Sequence, residues 1–243
     1  MNKIALITGG ARGIGRAVAL DLADRDWSVA ICYRTSSEEA NEVVEAIRSR
    51  GAKGLAVQSD VSDANAATDL IRQVQQKWGR IDALINGAGP YHRVSLLQET
   101  REGWHSMFDN NLHPVLYLSQ AVIPGMKEQK WGRIICFSMA NAEQVIAQPQ
   151  LTAHYIAKVG LVILMRSLAK LVAPYGITAN CVAPGFIDSG SAPKEELESA
   201  AKRIPAGYIG TVDDTTAAVR FLLSDEARYI NGANIQLSGA WGV

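Results

Sequence analysis

Hydrophobic positions along the chain alternate between two textures. Short, continuous apolar runs rich in β-branched residues occur at 3–8 (KIALIT), 27–33 (WSVAICY), 54–60 (GLAVQSD), 81–86 (IDALIN), 132–138 (GRIICFS), 177–183 (ITANCVA) and 233–239 (ANIQLSG). Between them lie longer stretches, such as Glu38 to Arg50 and Ala64 to Lys77, whose apolar residues recur at i, i+3 and i+4. A strand covered on both faces reads as an unbroken apolar run, and the helix that covers it shows one apolar stripe. The alternation therefore predicts a doubly wound α/β domain with a parallel sheet of seven strands. In such a sheet the ligand crevice lies at the carboxyl ends of the strands.

No Pro/Gly/Ser-rich linker or repeat divides the chain, so residues 1–243 are expected to form one domain. The one long irregular stretch, about 184 to 212, has three prolines and no clear strand signal, and residues 185–212 are read as a lid over the substrate. Lys plus Arg and Asp plus Glu number 24 each, so no net field draws the chain to nucleic acid or an anionic membrane, and a small-molecule partner is expected. No run of 18 apolar residues predicts a membrane span, and the strand-like start MNKIALITGG is too short for a signal peptide. Cys32, Cys136 and Cys181 sit in apolar runs without metal-ligand spacing or pairing; buried, reduced thiols, a cytoplasmic protein and no metal site follow as expectations.

Thr8 to Gly15, TGGARGIG, follows the first strand and opens a helix with apolar Ile14, Val18 and Leu22. Glycines let a phosphate approach the backbone, and the helix N-terminus supplies unpaired N–H groups, so a dinucleotide site is expected there. The spacing of Gly9, Gly13 and Gly15 is T-G-x-x-x-G-x-G, and with it the chain resembles the short-chain dehydrogenase/reductase family, whose fold is Rossmann-type. The resemblance runs through nearly the whole chain. Asp60 and Val61 look like the family's adenine-contacting Asp-Val. Asn86, Ala88 and Gly89 match the motif after the fourth strand, with Gly87 in place of a polar residue. Asn111 stands where the family keeps an active-site Asn, and Pro184, Gly185, Ile187 and Ser189 stand on its nicotinamide-contacting loop.

NAD-specific members carry a carboxylate near Tyr33, at the end of the second strand. Here none is present; Arg34 follows, and Arg12 lies inside the glycine turn. Guanidinium groups suit a 2′-phosphate through paired, charge-assisted hydrogen bonds, which favours NADP(H) over NAD.

The resemblance also implies a Tyr as proton donor or acceptor, a Lys four residues later that anchors the nicotinamide ribose, and a Ser on the preceding strand. Lys158 matches the lysine and the long apolar helix after it. Counting back four residues gives His154, with Tyr155 one position late. The serine position holds Met139, with Ser138 as its neighbour. Asn111 precedes Met139 by 28 residues, as in the family pattern, whereas Met139 to His154 spans 15 steps, about two more than the pattern. The departure is therefore confined to one loop. Asn141, Glu143 and Gln144 within it are read as solvated, and His92 as an exposed loop residue or one facing substrate.

Three chemistries are open. His154 can replace the phenol as acid/base, because i and i+4 share a helix face and an imidazole, with a pKa of about 6.5 against about 10 for phenol, needs less help near neutrality. Tyr155 can act instead, although one residue turns it by about 100° on the helix, and Ser138 would need a bulge to turn its hydroxyl. Alternatively the usual redox turnover is lost, leaving a redox-silent NADP(H)-binding protein or a non-redox isomerase, cyclase or lyase.

The stretches GRII, APYGITANCVAPGFIDS and YINGANIQLSGAWG resemble bacterial 3-oxoacyl-[acyl-carrier-protein] reductase-like members. That likeness implies reduction of a ketone or 3-oxoacyl substrate by NADPH, and a homotetramer paired through the helix around Leu161 to Leu171.

Overall fold

The computed structural model describes residues 2–190 and 193–242; residues 191 and 192 of the expected lid lie outside the described residues. Each predicted apolar run forms a strand: β1 (Ile4–Thr8), β2 (Ser28–Tyr33), β3 (Gly54–Gln58), β4 (Ala83–Asn86), β5 (Gly132–Phe137), β6 (Ile177–Pro184) and, after two short strands described below, β9 (Asn234–Leu237). They build a seven-stranded sheet in the order β3-β2-β1-β4-β5-β6-β9, with every neighbouring pair parallel.

Helices cover both faces. On one face α1 (Gly13–Ala23), α2 (Ser37–Ser49) and α8 (Val212–Leu223) bury Val18, Leu22, Val43, Ile47 and Leu222 against the sheet. On the other, α3 (Ala64–Trp78), α5 (His113–Gln129) and α6 (Thr152–Val172) bury Leu70, Val74, Leu118, Leu161 and Met165. Local chemistry sets their ends. The Asp63 side chain caps α3 by accepting from the amide of Ala66 at 2.8 Å, and Gly79 ends the same helix in a left-handed conformation with φ 87°. A further helix, α4 (Arg101–Asn111), packs on α5 and α6 and carries Asn111 at its last position.

The segment expected to form a lid is more regular than its sequence predicts. It contains the two-stranded pairing of β7 (Ile187–Asp188) with β8 (Gly210–Thr211), and the helix α7 (Lys194–Ala201) between them. The run from Lys194 to Ala201 is mostly charged and alanine-rich, so it shows almost no apolar stripe. Ala200 and Ile204 nonetheless become buried beneath it. Helix propensity and a small tertiary contact replace the missing periodicity.

The strand order reverses between β1 and β4, which opens a crevice at their carboxyl ends. Thr8 closes the base of that crevice: its hydroxyl oxygen accepts from the amides of Gly87 at 3.2 Å and Ala88 at 3.3 Å. The site is therefore built where the first and fourth strands end.

Candidate active site

A cleft of about 260 Å³ runs along this switch point. Of the residues that the sequence assigns to a dinucleotide, Gly9, Arg12, Arg34, Asp60, Val61, Ala88 and Gly89 line it together. The backbone can come this close only without side chains. A Cβ on Gly15 would lie 2.3 Å from the Gly9 carbonyl oxygen, and one on Gly89 would lie 2.4 Å from Asn111 Oδ1. Gly9 itself adopts φ 67°. The glycines let the turn that opens α1 close tightly at the edge of the cleft, and a helix N-terminus in that position fits a phosphate-bearing dinucleotide.

Arg34 spans the far end of the cleft. Its guanidinium donates to Asn110 Oδ1 at 3.1 Å and lies 3.8 Å from the Asp60 carboxylate, and its side chain stays largely exposed. Ser62 donates to Asp60 from both amide and hydroxyl and, ahead of Arg34, holds its carboxyl below the usual range. Arg12 faces Glu39 at 3.9 Å and is also exposed. Two guanidinium groups are thus held at the mouth by weak partners. Asn110 leaves no trace in the sequence reading, because its link to Arg34 crosses 76 residues.

The remaining expected positions lie around the cleft. Gly13 faces Ser189, and Ile14 packs against the core beneath α1. The Pro184 carbonyl accepts from the amide of Ala140 at 3.0 Å, tying it to the loop after β5, and the Gly185 amide donates to the Leu237 carbonyl at 2.8 Å, tying it to β9. Ile187 lines a second cavity of about 220 Å³ with Phe186, Tyr208 and Leu237. Asn86 Nδ2 donates to the Ile135 carbonyl at 3.3 Å, and its Oδ1 is buried without a partner.

His154, Asn111 and Lys158 come together at the inner end. Asn111 Nδ2 donates to the Pro90 carbonyl at 3.2 Å, and the His154 imidazole meets the same carbonyl. Tyr91 packs edge-on against that imidazole at a centroid distance of 5.3 Å. Burial, then the Lys158 charge, push His154 down to about 4 despite the Pro90 contact, so the ring is neutral at pH 7. Lys158 Nζ donates to the Phe137 carbonyl at 2.9 Å, and burial pushes its ammonium down to about 8. Pro90 acts through its main chain, a role that no side-chain pattern advertises.

The other two candidates point elsewhere. The Tyr155 hydroxyl donates to the Asn141 carbonyl at 2.8 Å and accepts from the Ile146 amide at 3.2 Å. Ser138 donates from its hydroxyl to Asn234 Oδ1 at 2.6 Å. Met139, just beyond the end of β5, packs with the core on the α6 side.

The enlarged loop is exposed at Glu143 and Gln144, as expected, but buried at Asn141 and tied to its surroundings. Glu143 pairs with Arg166 of α6 and accepts from Asn234 Nδ2 at 3.1 Å; Gln144 donates to the Gly242 carbonyl at 2.8 Å. His92 also has a partner, Glu99, at 3.3 Å. The three cysteines are buried as expected, but Cys136 and Cys181 lie in register on β5 and β6 with their sulfurs 3.3 Å apart. Burial pushes the Cys136 thiol well up, which keeps it protonated. Among the described residues no group of three His, Cys, Asp or Glu could hold a metal, and no helix is long and apolar enough to cross a membrane.

Comparison with known proteins places this geometry. Residues 9–240 match the family described as enoyl-(acyl carrier protein) reductase. The chain is 37% identical over 242 residues to the 3-oxoacyl-[acyl-carrier-protein] reductase FabG of Staphylococcus aureus, covering 98% of each chain. A short-chain dehydrogenase from Burkholderia cenocepacia J2315, solved in complex with NADP, superposes with a TM-score of 0.92 at 31% identity, over 99% of this chain and 98% of that one. Acetoin dehydrogenase YohF from Salmonella typhimurium superposes with a TM-score of 0.91 at 26% identity, over 99% and 96%.

Proposed function

The chain belongs to the short-chain dehydrogenase/reductase family, and from that premise we propose that it is an NADP(H)-dependent oxidoreductase interconverting a carbonyl and an alcohol, with His154 meeting the substrate oxygen in place of a tyrosine. One observation carries this reading: His154 lies buried one helical turn before Lys158 and edge-on to Tyr91 of the loop whose Pro90 carbonyl is held by Asn111.

The dinucleotide, when bound, supplies or takes up a hydride. Arg12 and Arg34 would hold its 2′-phosphate, and the glycine turn at the start of α1 its pyrophosphate. Asp60 and Val61 would hold the adenine. Asn86, Ala88 and Gly89, together with Pro184, Gly185, Ile187 and Ser189, would flank the remainder. Lys158 brings a cation to the inner end of the cleft and stays mostly protonated at pH 7. Asn111 pins the Pro90 loop, and that loop orients the imidazole. Met139 contributes an apolar wall, and the lid at 185–212 would exclude water from above. Ile163 and Leu171 lie exposed on α6, which supports pairing of that helix in a homotetramer.

Titration of the purified protein with NADPH, followed by ketones, quinones and 3-oxoacyl thioesters, tests the proposal. Substrate-dependent oxidation of the dinucleotide is expected. Tight binding without turnover, in this direction or with alcohols and NADP⁺, would instead make the protein a redox-silent binder.

A further inference from the structure

Arg34 has the exposure of a mobile side chain, yet the structure holds it in place. A long, solvated side chain spreads over many rotamers, and it gives up that freedom when it fastens on a ligand. Three contacts restrict Arg34 beforehand. Gln58 Nε2 donates to its carbonyl at 3.0 Å and fixes the main chain just beyond β2. Its Nη1 donates to Asn110 Oδ1 at 3.1 Å and stands 3.8 Å from Asp60 Oδ2. Among the described residues, the opposite edge of the guanidinium, Nε with Nη2, has no hydrogen-bond partner in the protein. That edge is the fork that can grip a phosphate with two parallel hydrogen bonds.

Asn110 is itself oriented from behind. Its Nδ2 donates to the Ser106 carbonyl at 2.9 Å and to Ser106 Oγ at 3.3 Å, one turn earlier on α4. The amide nitrogen is thereby spent, and the amide oxygen faces Arg34. The contact spans the cleft, from the end of β2 to the last turn of α4, and both residues line it. The next residue, Asn111, holds the Pro90 carbonyl at 3.2 Å, so one turn of α4 braces both Arg34 and the Pro90 loop.

The two partners of Nη1 differ in what they cost. The Asp60 carboxylate offsets part of the guanidinium charge, whereas the neutral Asn110 amide orients the group and leaves its charge available.

We propose that Asn110 is a positioning residue for dinucleotide selection: it holds Arg34 by Nη1, so that the 2′-phosphate of NADP(H) meets a fork already in place. The proposal rests on the assignment of Arg34 to that phosphate. It adds that part of the preference for the phosphorylated dinucleotide resides on α4, in a residue that acts through the arginine. NADH lacks the phosphate and gains nothing from the arrangement.

Fluorescence titration with NADPH and NADH, which needs no turnover, tests this in a double-mutant cycle. Asn110→Ala should weaken NADPH binding by about threefold to tenfold, the cost of ordering one long side chain, and change NADH binding by less than about twofold. Asn110→Asp should weaken NADPH further than Asn110→Ala does, because a carboxylate there offsets the charge of Arg34 and repels the phosphate. In an Arg34→Ala background, Asn110→Ala should have no additional effect on NADPH, since nothing is left to position. Unchanged NADPH binding in Asn110→Ala, equal weakening of both dinucleotides, or an undiminished effect in the Arg34→Ala background would overturn the proposal. Unchanged NADPH binding in Arg34→Ala would overturn the assignment of the phosphate to Arg34, and this proposal with it. Wild-type protein that binds neither dinucleotide would overturn the dinucleotide site itself.

Discussion

The hydroxyl of Tyr155 donates to the main-chain carbonyl of Asn141 at 2.8 Å, tying the first turn of α6 to the loop that follows β5. The loop is about two residues longer than the family pattern and contains two residues, Asn141 and Val145, with φ of 61° and 50°. A phenol one position after His154 thus serves as the latch of the rebuilt loop, while the imidazole takes the place beside Lys158.

Exchanging each ring for phenylalanine separates the two roles. His154→Phe should lower kcat/KM by about 10²- to 10⁴-fold, the range for loss of an acid/base group. Tyr155→Phe should chiefly lower stability, by roughly 1–3 kcal/mol, because the buried Asn141 carbonyl loses its donor. Steady-state rates and urea unfolding of both variants check this; abolished turnover with unchanged stability in Tyr155→Phe would reverse the assignment.

Acid should destabilise the fold through His154. Its pKa is pushed down to about 4 in the folded chain, while an unfolded histidine titrates near 6.5, so between these values the unfolded state binds more protons and stability falls as pH falls. Between pH 7 and pH 5 the loss from this residue is about 2 kcal/mol. Urea unfolding at the two pH values should show that loss in the wild type, and correspondingly less of it in His154→Phe.

Val145 is a β-branched residue held at φ 50° with its side chain 73% exposed. A left-handed conformation costs an L-residue roughly 1–2 kcal/mol, and here little packing offsets it. Val145→Gly should therefore raise the melting temperature, with a net gain of about 0.5–1 kcal/mol after the entropy of glycine is counted. A lower melting temperature would mean that the isopropyl group contributes contacts outweighing the strain.

Arg34 should set the preference for the phosphorylated dinucleotide. Charge-assisted hydrogen bonds contribute about 1.5–3 kcal/mol, so Arg34→Ala should weaken NADPH binding by roughly tenfold to a hundredfold while barely changing NADH. Fluorescence titration with both dinucleotides measures the ratio. Equal weakening of both would remove Arg34 from phosphate recognition and leave Arg12 as the candidate.

Restoring the family's two hydroxyls should raise carbonyl reduction if the departure at these positions limits it. Met139→Ser combined with His154→Tyr supplies the two hydroxyls that the family pattern carries, and should raise ketone reduction by about tenfold or more. The rate of 3-oxoacyl thioester reduction is the measurement, and no gain would mean that the loop, not the side chains, limits the reaction.

Much of this was legible in the sequence because the relevant demand is local. A strand buried on both faces must be apolar throughout, so all seven core strands could be read from their runs, and the glycine turn could be read because only glycine permits its backbone contacts. The helix α7 lacked that legibility, since its charged, alanine-rich sequence carries almost no stripe. Within the site, Lys158 and His154 followed from the resemblance to the family, and helical spacing added only that i and i+4 share a face.

Only the tertiary structure decided what their polar atoms meet. Ser138 finds Asn234 across 96 residues, Arg34 finds Asn110 across 76, and Asn111 shares a main-chain carbonyl with His154. Periodicity declares that a side chain will be buried, because burial depends on its own polarity. The partner it meets there is delivered by sheet order and loop length, and a hydrogen bond between segments far apart in sequence leaves no mark on the local pattern of either.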